Sequence, residues 1–207
     1  MTTDAFQWVF DNAESINFNR RSVTAQTISR SNVVRTVSRG GQVWRFEVTL
    51  PNGPRWSDIR PYIESIDYAD RYTTGSVKLN NPGYSSWLSK YQGDSLSYAG
   101  FTASWTLGAN SITLTYGPAT PSGYKFRRGD LIQLEGGHVY SVTSDVSFLS
   151  NIVPLNRPVL DPTASGSIYI ADLATFNLVC VEMPQWTIFA RDQVSWSGPF
   201  VFYEVIA

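Results

Sequence analysis

The sequence has little of what enzymes and metal proteins commonly use. Its 207 residues include one cysteine, Cys180, and one histidine, His138. A single cysteine excludes an intramolecular disulfide, and with one residue of each kind a four-ligand zinc site would need unusual carboxylate ligands. A phosphate-binding Gly-x-x-x-x-Gly-Lys-Ser/Thr motif and a calcium-binding loop are also missing. We therefore expect no metal site, no cofactor and no disulfide framework.

The chain also lacks membrane and secretion signals. No apolar run approaches the roughly 20 residues that span a bilayer, and the first residues do not form a signal peptide. No Asn-x-Ser/Thr sequon is present. We expect no membrane association, and a protein that resides in the cytosol or in a particle assembled there.

Charged residues make up only 16% of the chain, whereas aromatic residues reach 14%. This balance favours strands over helices or disorder. From residue 73 onward, short strand candidates alternate with turn-forming segments, which predicts a mainly β barrel or sandwich with one α-helix on one face. We assign residues 1–32 to an N-terminal arm with a short strand, and residues 33–207 to a single β-rich domain.

The one strong helix pattern covers residues 56–68. Ile59, Ile63 and Ile66 recur at helical spacing and form one apolar stripe suited to lie against a sheet. Ser57 is the candidate N-cap, and Pro61 predicts a late or irregular start because proline has no amide hydrogen. The short strand of the arm is predicted at 7–10, and a helical turn at 85–90.

Two hairpins with glycine turns are predicted. In the first, Gly40 and Gly41 connect strands at 33–37 and 43–50, and the second strand alternates apolar and polar residues. The second hairpin covers residues 131–142.

In the first hairpin the register places Arg35 opposite Phe46, on the apolar face. The arginine stem can then cover Phe46, the charged tip can be solvated at a sheet edge, or the side chain can reach a partner. The pattern leaves these alternatives open.

Residues 15–46 contain six arginines and no other charged residue. Because the chain has 16 lysines and arginines in all, ten remain against 17 acidic residues elsewhere. A run of like charges is either solvated or neutralised by an acidic partner, and a second copy of the chain offers one. Nucleic acid is the usual partner of arginine-rich segments, but the acidic remainder and a pI near 5.8 disfavour it. The predicted interface residues are Arg20, Arg21, Arg30, Arg35 and Arg39.

Three arrangements could carry chemistry or recognition. His138 and Cys180 could form a nucleophile and base pair, but a hairpin turn and an apolar strand explain them better. The tripeptide Arg128-Gly129-Asp130 spells an adhesion motif, although its residues also suit a turn. A glycosidase needs two placed carboxylates, which the acidic residues always offer and the sequence does not exclude.

The aromatic residues suggest a further alternative. Seven tryptophans and eleven tyrosines could include an exposed face that stacks on sugar rings, although core packing explains most of them. The residues that are hardest to place in a core form the candidate aromatic surface: Trp87, Tyr91, Tyr98 and Trp105. A carbohydrate-binding or receptor-recognition module is therefore the alternative function.

Several short motifs occur in the chain from about residue 41 onward. They are WRFEV at 44–48, LP at 50–51, RP at 60–61, FRRGDLIQ at 126–133, VYSVTSDV at 139–146, NRP at 156–158, MP at 183–184, VSWSGPF at 194–200 and FYE at 202–204. Together these segments resemble tail-tip and baseplate proteins of long-tailed bacteriophages.

The resemblance implies a non-enzymatic ring component of the distal-tail, tube-initiator or baseplate-hub kind. It implies a tube-like split β-barrel with a flanking helix, and long hairpins that join subunits into a ring, by expectation a hexamer. Neighbouring tail-tube and baseplate proteins would be partners, and DNA would be passing cargo. The location would be the tail of a virion assembled in the host cytoplasm. A basic lining would retard DNA, so we expect the arginines to lie between subunits.

Overall fold

The computed structural model describes residues 2–19, 24–28, 34–38, 43–69, 71–83, 85–135, 137–189 and 191–206, with the backbone alone at 2–4, 24–28, 34–38 and 85. The helices are α1 (Thr2–Asp11), α2 (Trp56–Ala69) and α3 (Ser85–Ser89), and a 3₁₀ turn covers Ala171–Leu173. The strands are β1 (Ser15–Asn19), β2 (Thr24–Ile28), β3 (Val34–Ser38), β4 (Arg45–Thr49), β5 (Thr74–Lys78), β6 (Thr102–Trp105), β7 (Ser111–Tyr116), β8 (Tyr124–Phe126), β9 (Leu131–Leu134), β10 (Val139–Ser141), β11 (Val146–Ser147), β12 (Ile152–Pro154), β13 (Ala164–Ile170), β14 (Thr175–Glu182), β15 (Trp186–Phe189), β16 (Gln193–Trp196) and β17 (Phe200–Glu204). The predicted mainly β fold with a flanking helix is confirmed. None of the helices described combines the length and apolar character needed to cross a membrane.

The first core lies between a curled five-stranded sheet and two helices. The antiparallel sheet has the order β1-β4-β17-β14-β5, and α1 lies on its buried face. The Phe10 ring is 5.5 Å from Phe46 and 5.2 Å from Phe202, measured between centroids. Gly75 allows α1 to lie close to β5, because a Cβ at that position would overlap the ring of Phe6.

Residues 7–10, predicted as a strand, belong to α1. Phe6, Val9 and Phe10 are fully buried at helical spacing, a period that a window of four residues is too short to show. The start of the predicted arm is therefore part of the first core. The domain boundary at residue 32 stays a prediction, because it lies outside the described residues.

The predicted helix at 56–68 is confirmed as α2, but its start differs. Ser57 is not the N-cap, since it lies within the first turn and the helix begins at Trp56 in spite of Pro61. Asp192 caps the N-terminal end of α2: its carbonyl accepts from the Trp56 amide at 2.7 Å, and its carboxylate accepts from the Ser57 amide at 3.1 Å. A distant residue therefore satisfies amides that local sequence leaves unpaired.

The predicted pairing of 33–37 with 43–50 was wrong. β3 pairs with β2, whereas β4 pairs with β1 on one side and β17 on the other. Arg35 consequently lies opposite Thr27, not Phe46. The strand β4 gains two neighbours and a buried face in this way, which one tight hairpin would not provide. The predicted turn residues 40–41 lie outside the described part of the chain.

A second core lies in the segment between β5 and β14, and we call residues 101–171 the inserted lobe. Its six-stranded sheet has the order β10-β9-β13-β6-β7-β12. The predicted second hairpin is confirmed as β9 and β10, and it contributes to both cores. Leu131 and Val139 pack in the first core, whereas Ile132 and Tyr140 pack in the second. The shared hairpin joins the lobe firmly to the first sheet.

Candidate functional site

The arginine-rich segment contains two described strands, β2 and β3, which pair with each other from Thr24↔Ser38 to Ile28↔Val34. β1 and β4, which precede and follow them in the chain, pair from Ser15↔Thr49 to Asn19↔Arg45 within the first sheet. The β2–β3 part, about 17 Å long at the usual rise per residue, is a two-stranded sheet of its own. We call the segment 20–42, of which the structure describes β2 and β3, the arginine ribbon.

The structure places the predicted interface residues only in part. Arg35 lies on β3, and the other four lie outside the described residues: Arg20, Arg21, Arg30 and Arg39. The sixth arginine, Arg45, forms an ion pair with Glu47 and lies over the Tyr203 ring, 5.8 Å from its centroid. Arg45 is thus neutralised within its own chain.

Three of the four predicted aromatic residues line one groove of about 400 Å³ between α3 and the 3₁₀ turn. Trp87 is 69% exposed. Tyr91 and Tyr98 lie 5.7 Å apart between ring centroids, and the Tyr91 hydroxyl donates to the carbonyl of Lys125. We call this site the aromatic groove.

Trp105 does not belong to the groove, which corrects its predicted place on the aromatic surface. Its side chain is 5% exposed in the second core, and its indole nitrogen donates to the Pro162 carbonyl at 2.8 Å. Alternate residues of β6, Ala103 and Trp105, are buried, and this period of two in the sequence was the available sign that Trp105 faces a core.

Two opposite charges border the aromatic groove, Lys90 and Asp172. The Lys90 ammonium lies 5.1 Å from the Trp87 ring centroid. Hydrogen bonding to Asp172 raises the pKa of Tyr98. The Oδ1 atom of Asp172 is buried, and no donor among the described residues reaches it at hydrogen-bonding distance. The lining of the groove therefore combines a carboxylate, an ammonium group and an exposed indole.

A buried ion pair joins the two cores. Arg157 binds Glu204 through two nitrogens, each 2.6 Å from a carboxylate oxygen. One of these nitrogens also donates to the Val139 carbonyl at 2.9 Å, and the guanidinium lies over the Tyr140 ring. Nothing in the sequence marks this pair, because the partners are 47 residues apart and neither lies in a charge pattern.

His138 and Cys180 do not form a catalytic pair. His138 lies beside Asp161, with Nδ1 3.1 Å from Oδ1, and Tyr140 donates to the same carboxylate at 2.6 Å. Burial alone would raise the pKa of Asp161, but these hydrogen bonds outweigh it and lower the pKa. Cys180 packs in the first core, where burial raises its pKa to about 12. A thiol with this pKa is not a nucleophile at neutral pH.

The turn interpretation of Arg128-Gly129-Asp130 agrees with the structure. Gly129 has a φ of 100°, and Asp130 is 1% exposed. Its carboxylate accepts from the amides of Arg127 and Gln92 at 2.8 and 2.9 Å, so it is not available to a receptor. Burial raises its pKa to about 6, although both hydrogen bonds act in the opposite direction.

No protein-family model matches the chain, and a search of curated proteins finds no significant match. Among the described residues, no group of three or more His, Cys, Asp or Glu side chains is placed to hold a metal ion.

Proposed function

We propose that the protein is a structural subunit of a bacteriophage tail, which assembles with copies of itself into a ring at the end of the tail tube or in the baseplate. The observation that supports this most directly is the arginine ribbon. A hairpin isolated from other strands is marginally stable in water, and β2 and β3 pair with no third strand among the described residues. A ribbon of this kind gains stability when it lies on a partner.

The charge distribution favours another copy of the chain as that partner. The six arginines of residues 15–46 leave ten basic and 17 acidic residues in the remainder. A basic ribbon that lies on the acidic body of the next subunit gains orientation and specificity more than affinity. This contact is heterologous, and heterologous contacts close into a ring when the rotation permits.

The proposed role is not enzymatic. The buried pair of Arg157 and Glu204 connects the inserted lobe to the first sheet, and Asp161 is engaged with Tyr140 inside the lobe. The Arg157–Glu204 pair holds the two cores in a fixed relation, which a ring subunit requires. DNA passes through the ring as cargo.

The test is native mass spectrometry of the purified protein with and without three substitutions in the ribbon, Arg20→Ser, Arg21→Ser and Arg30→Ser. We expect the wild type to form closed oligomers, with six copies as the expected number, and the triple variant to remain folded as a monomer. The matched control removes the same charge from exposed arginines elsewhere, Arg60, Arg71 and Arg191. A wild type that stays monomeric up to high concentration, and is missing from phage tails, would contradict the proposal.

A further inference from the structure

The aromatic groove contains a stacking platform that the fold does not use. Trp87 is 69% exposed, although Ser89 on the same short helix is buried and bonded to the carbonyl of Leu79. An exposed indole is rarely needed for stability, and its face suits flat apolar surfaces such as the C–H face of a pyranose ring. Tyr91 and Tyr98 extend the aromatic wall of the groove.

The polar groups of the groove suit hydroxyl groups. Asp172 lines the groove, and a carboxylate there can accept a charge-assisted hydrogen bond from a ligand hydroxyl. The Lys90 ammonium, which lies near the Trp87 ring, can donate hydrogen bonds to the ligand. A sugar hydroxyl both donates and accepts, so one ligand can satisfy both groups.

The paired charges select against charged ligands. A cation would meet Lys90 beside the stacking surface, and an anion would meet the carboxylate of Asp172. A neutral ligand with one apolar face and several hydroxyl groups avoids both repulsions. The volume of about 400 Å³ lies within the usual range of small-molecule sites.

We infer that the aromatic groove binds a neutral hexose or N-acetylhexosamine unit of a glycan, with Trp87 stacked on the sugar ring and Asp172 accepting from its hydroxyl groups. Binding at this site does not depend on the proposed ring, because both walls of the groove belong to one chain.

The experiment is an array of neutral hexose and N-acetylhexosamine oligosaccharides, followed by titration of the best binder and saturation-transfer NMR. We expect Trp87→Ala to abolish binding and Asp172→Asn to weaken it about tenfold, because a neutral amide oxygen accepts a weaker hydrogen bond than a carboxylate does. Tyr72→Ala is the matched control, since Tyr72 is 90% exposed outside the groove, and it should bind as the wild type does. Thermal melts followed by circular dichroism show whether each variant is folded.

Three outcomes would overturn the inference: no binding to any glycan of the array, glycan binding that survives Trp87→Ala, or binding of arginine amide at the groove in place of a glycan. None of them bears on the ring, which is read from the oligomer mass. A folded monomer that binds glycans would support the groove and contradict the ring.

Discussion

Substituting Arg157 tests whether the lobe junction depends on its ion pair. The side chains of Arg157 and Glu204 are 1% and 3% exposed, so Arg157→Met leaves the Glu204 carboxylate buried without its guanidinium. The Trp44 amide still donates to it, at 3.4 Å. We expect Arg157→Met to lower the free energy of unfolding by about 3–5 kcal/mol, the usual cost of leaving one buried charge unpaired.

The magnitude comes from the partner left behind rather than from the contact itself. Two 2.6 Å hydrogen bonds to Glu204 and one of 2.9 Å to the Val139 carbonyl are removed together, and the Glu204 charge keeps its desolvation cost. The double variant Arg157→Met with Glu204→Gln removes both charges. It should therefore be less destabilised than the sum of the single variants, with a coupling energy of about 2–3 kcal/mol.

Urea unfolding followed by tryptophan fluorescence measures all four members of the cycle. Equal slopes of free energy against denaturant would show that the same surface unfolds in each variant. If Arg157→Met lowered the free energy of unfolding by less than about 1 kcal/mol, or if the two single effects were additive, the ion pair would not hold the junction.

Three further predictions concern the cores and the pH dependence. Phe10→Ala should cost about 3–5 kcal/mol by leaving a cavity in the first core, whereas exposed Tyr72→Ala should change the free energy of unfolding by less than about 0.5 kcal/mol; urea midpoints compare the two. Gly75→Ala should cost about 1–3 kcal/mol because its Cβ overlaps Phe6, and a cost near zero in the same assay would show that α1 moves freely. The folded-state pKa of Asp130, about 6 against an ordinary 3.8, means that the folded state binds the proton more tightly. Its contribution to stability should thus fall by up to about 3 kcal/mol as the pH rises from about 4 to about 6 and stay level above; a wild-type pH profile identical to that of Asp130→Asn would contradict this.

Local patterns in the sequence predicted those elements whose apolar pattern repeats over several turns. The stripe of Ile59, Ile63 and Ile66 spans several turns, and α2 follows it. Residues 7–10 are too few to separate a helix from a strand, and the partners that decide between them, such as Phe202, come from far along the chain.

Pairing was harder to predict than strand position. The glycines at 40–41 are a valid turn signal, yet the register of β4 is set by β1 and β17, which a two-strand argument does not consider. The arginines of 15–46 stand out in the sequence as a charge run. Arg45 nevertheless forms an ion pair with Glu47, an acidic residue two positions further along the same strand.

The aromatic groove was also predictable only in part. Trp87, Tyr91 and Tyr98 were selected because they belong to no apolar pattern of a strand or helix, and the structure brings them together. Asp172 was not selected, because a single carboxylate in a chain of 17 acidic residues has no local mark. Its place beside Tyr98 follows from the tertiary fold alone.

The position of β17 also sets the order in which the chain can fold. Until β17 inserts, β1–β4 and β5–β14 are separate halves, since Phe202 pairs with Phe46 on one side and Cys180 on the other. The inserted lobe is contiguous in sequence, so it can collapse on its own core during synthesis, at about 5–20 residues per second. The first sheet must wait for β17, which comes after its four other described strands in the chain, and such long-range closure is slow. We therefore expect newly made chains to expose the apolar face of β4 until β17 has been synthesised.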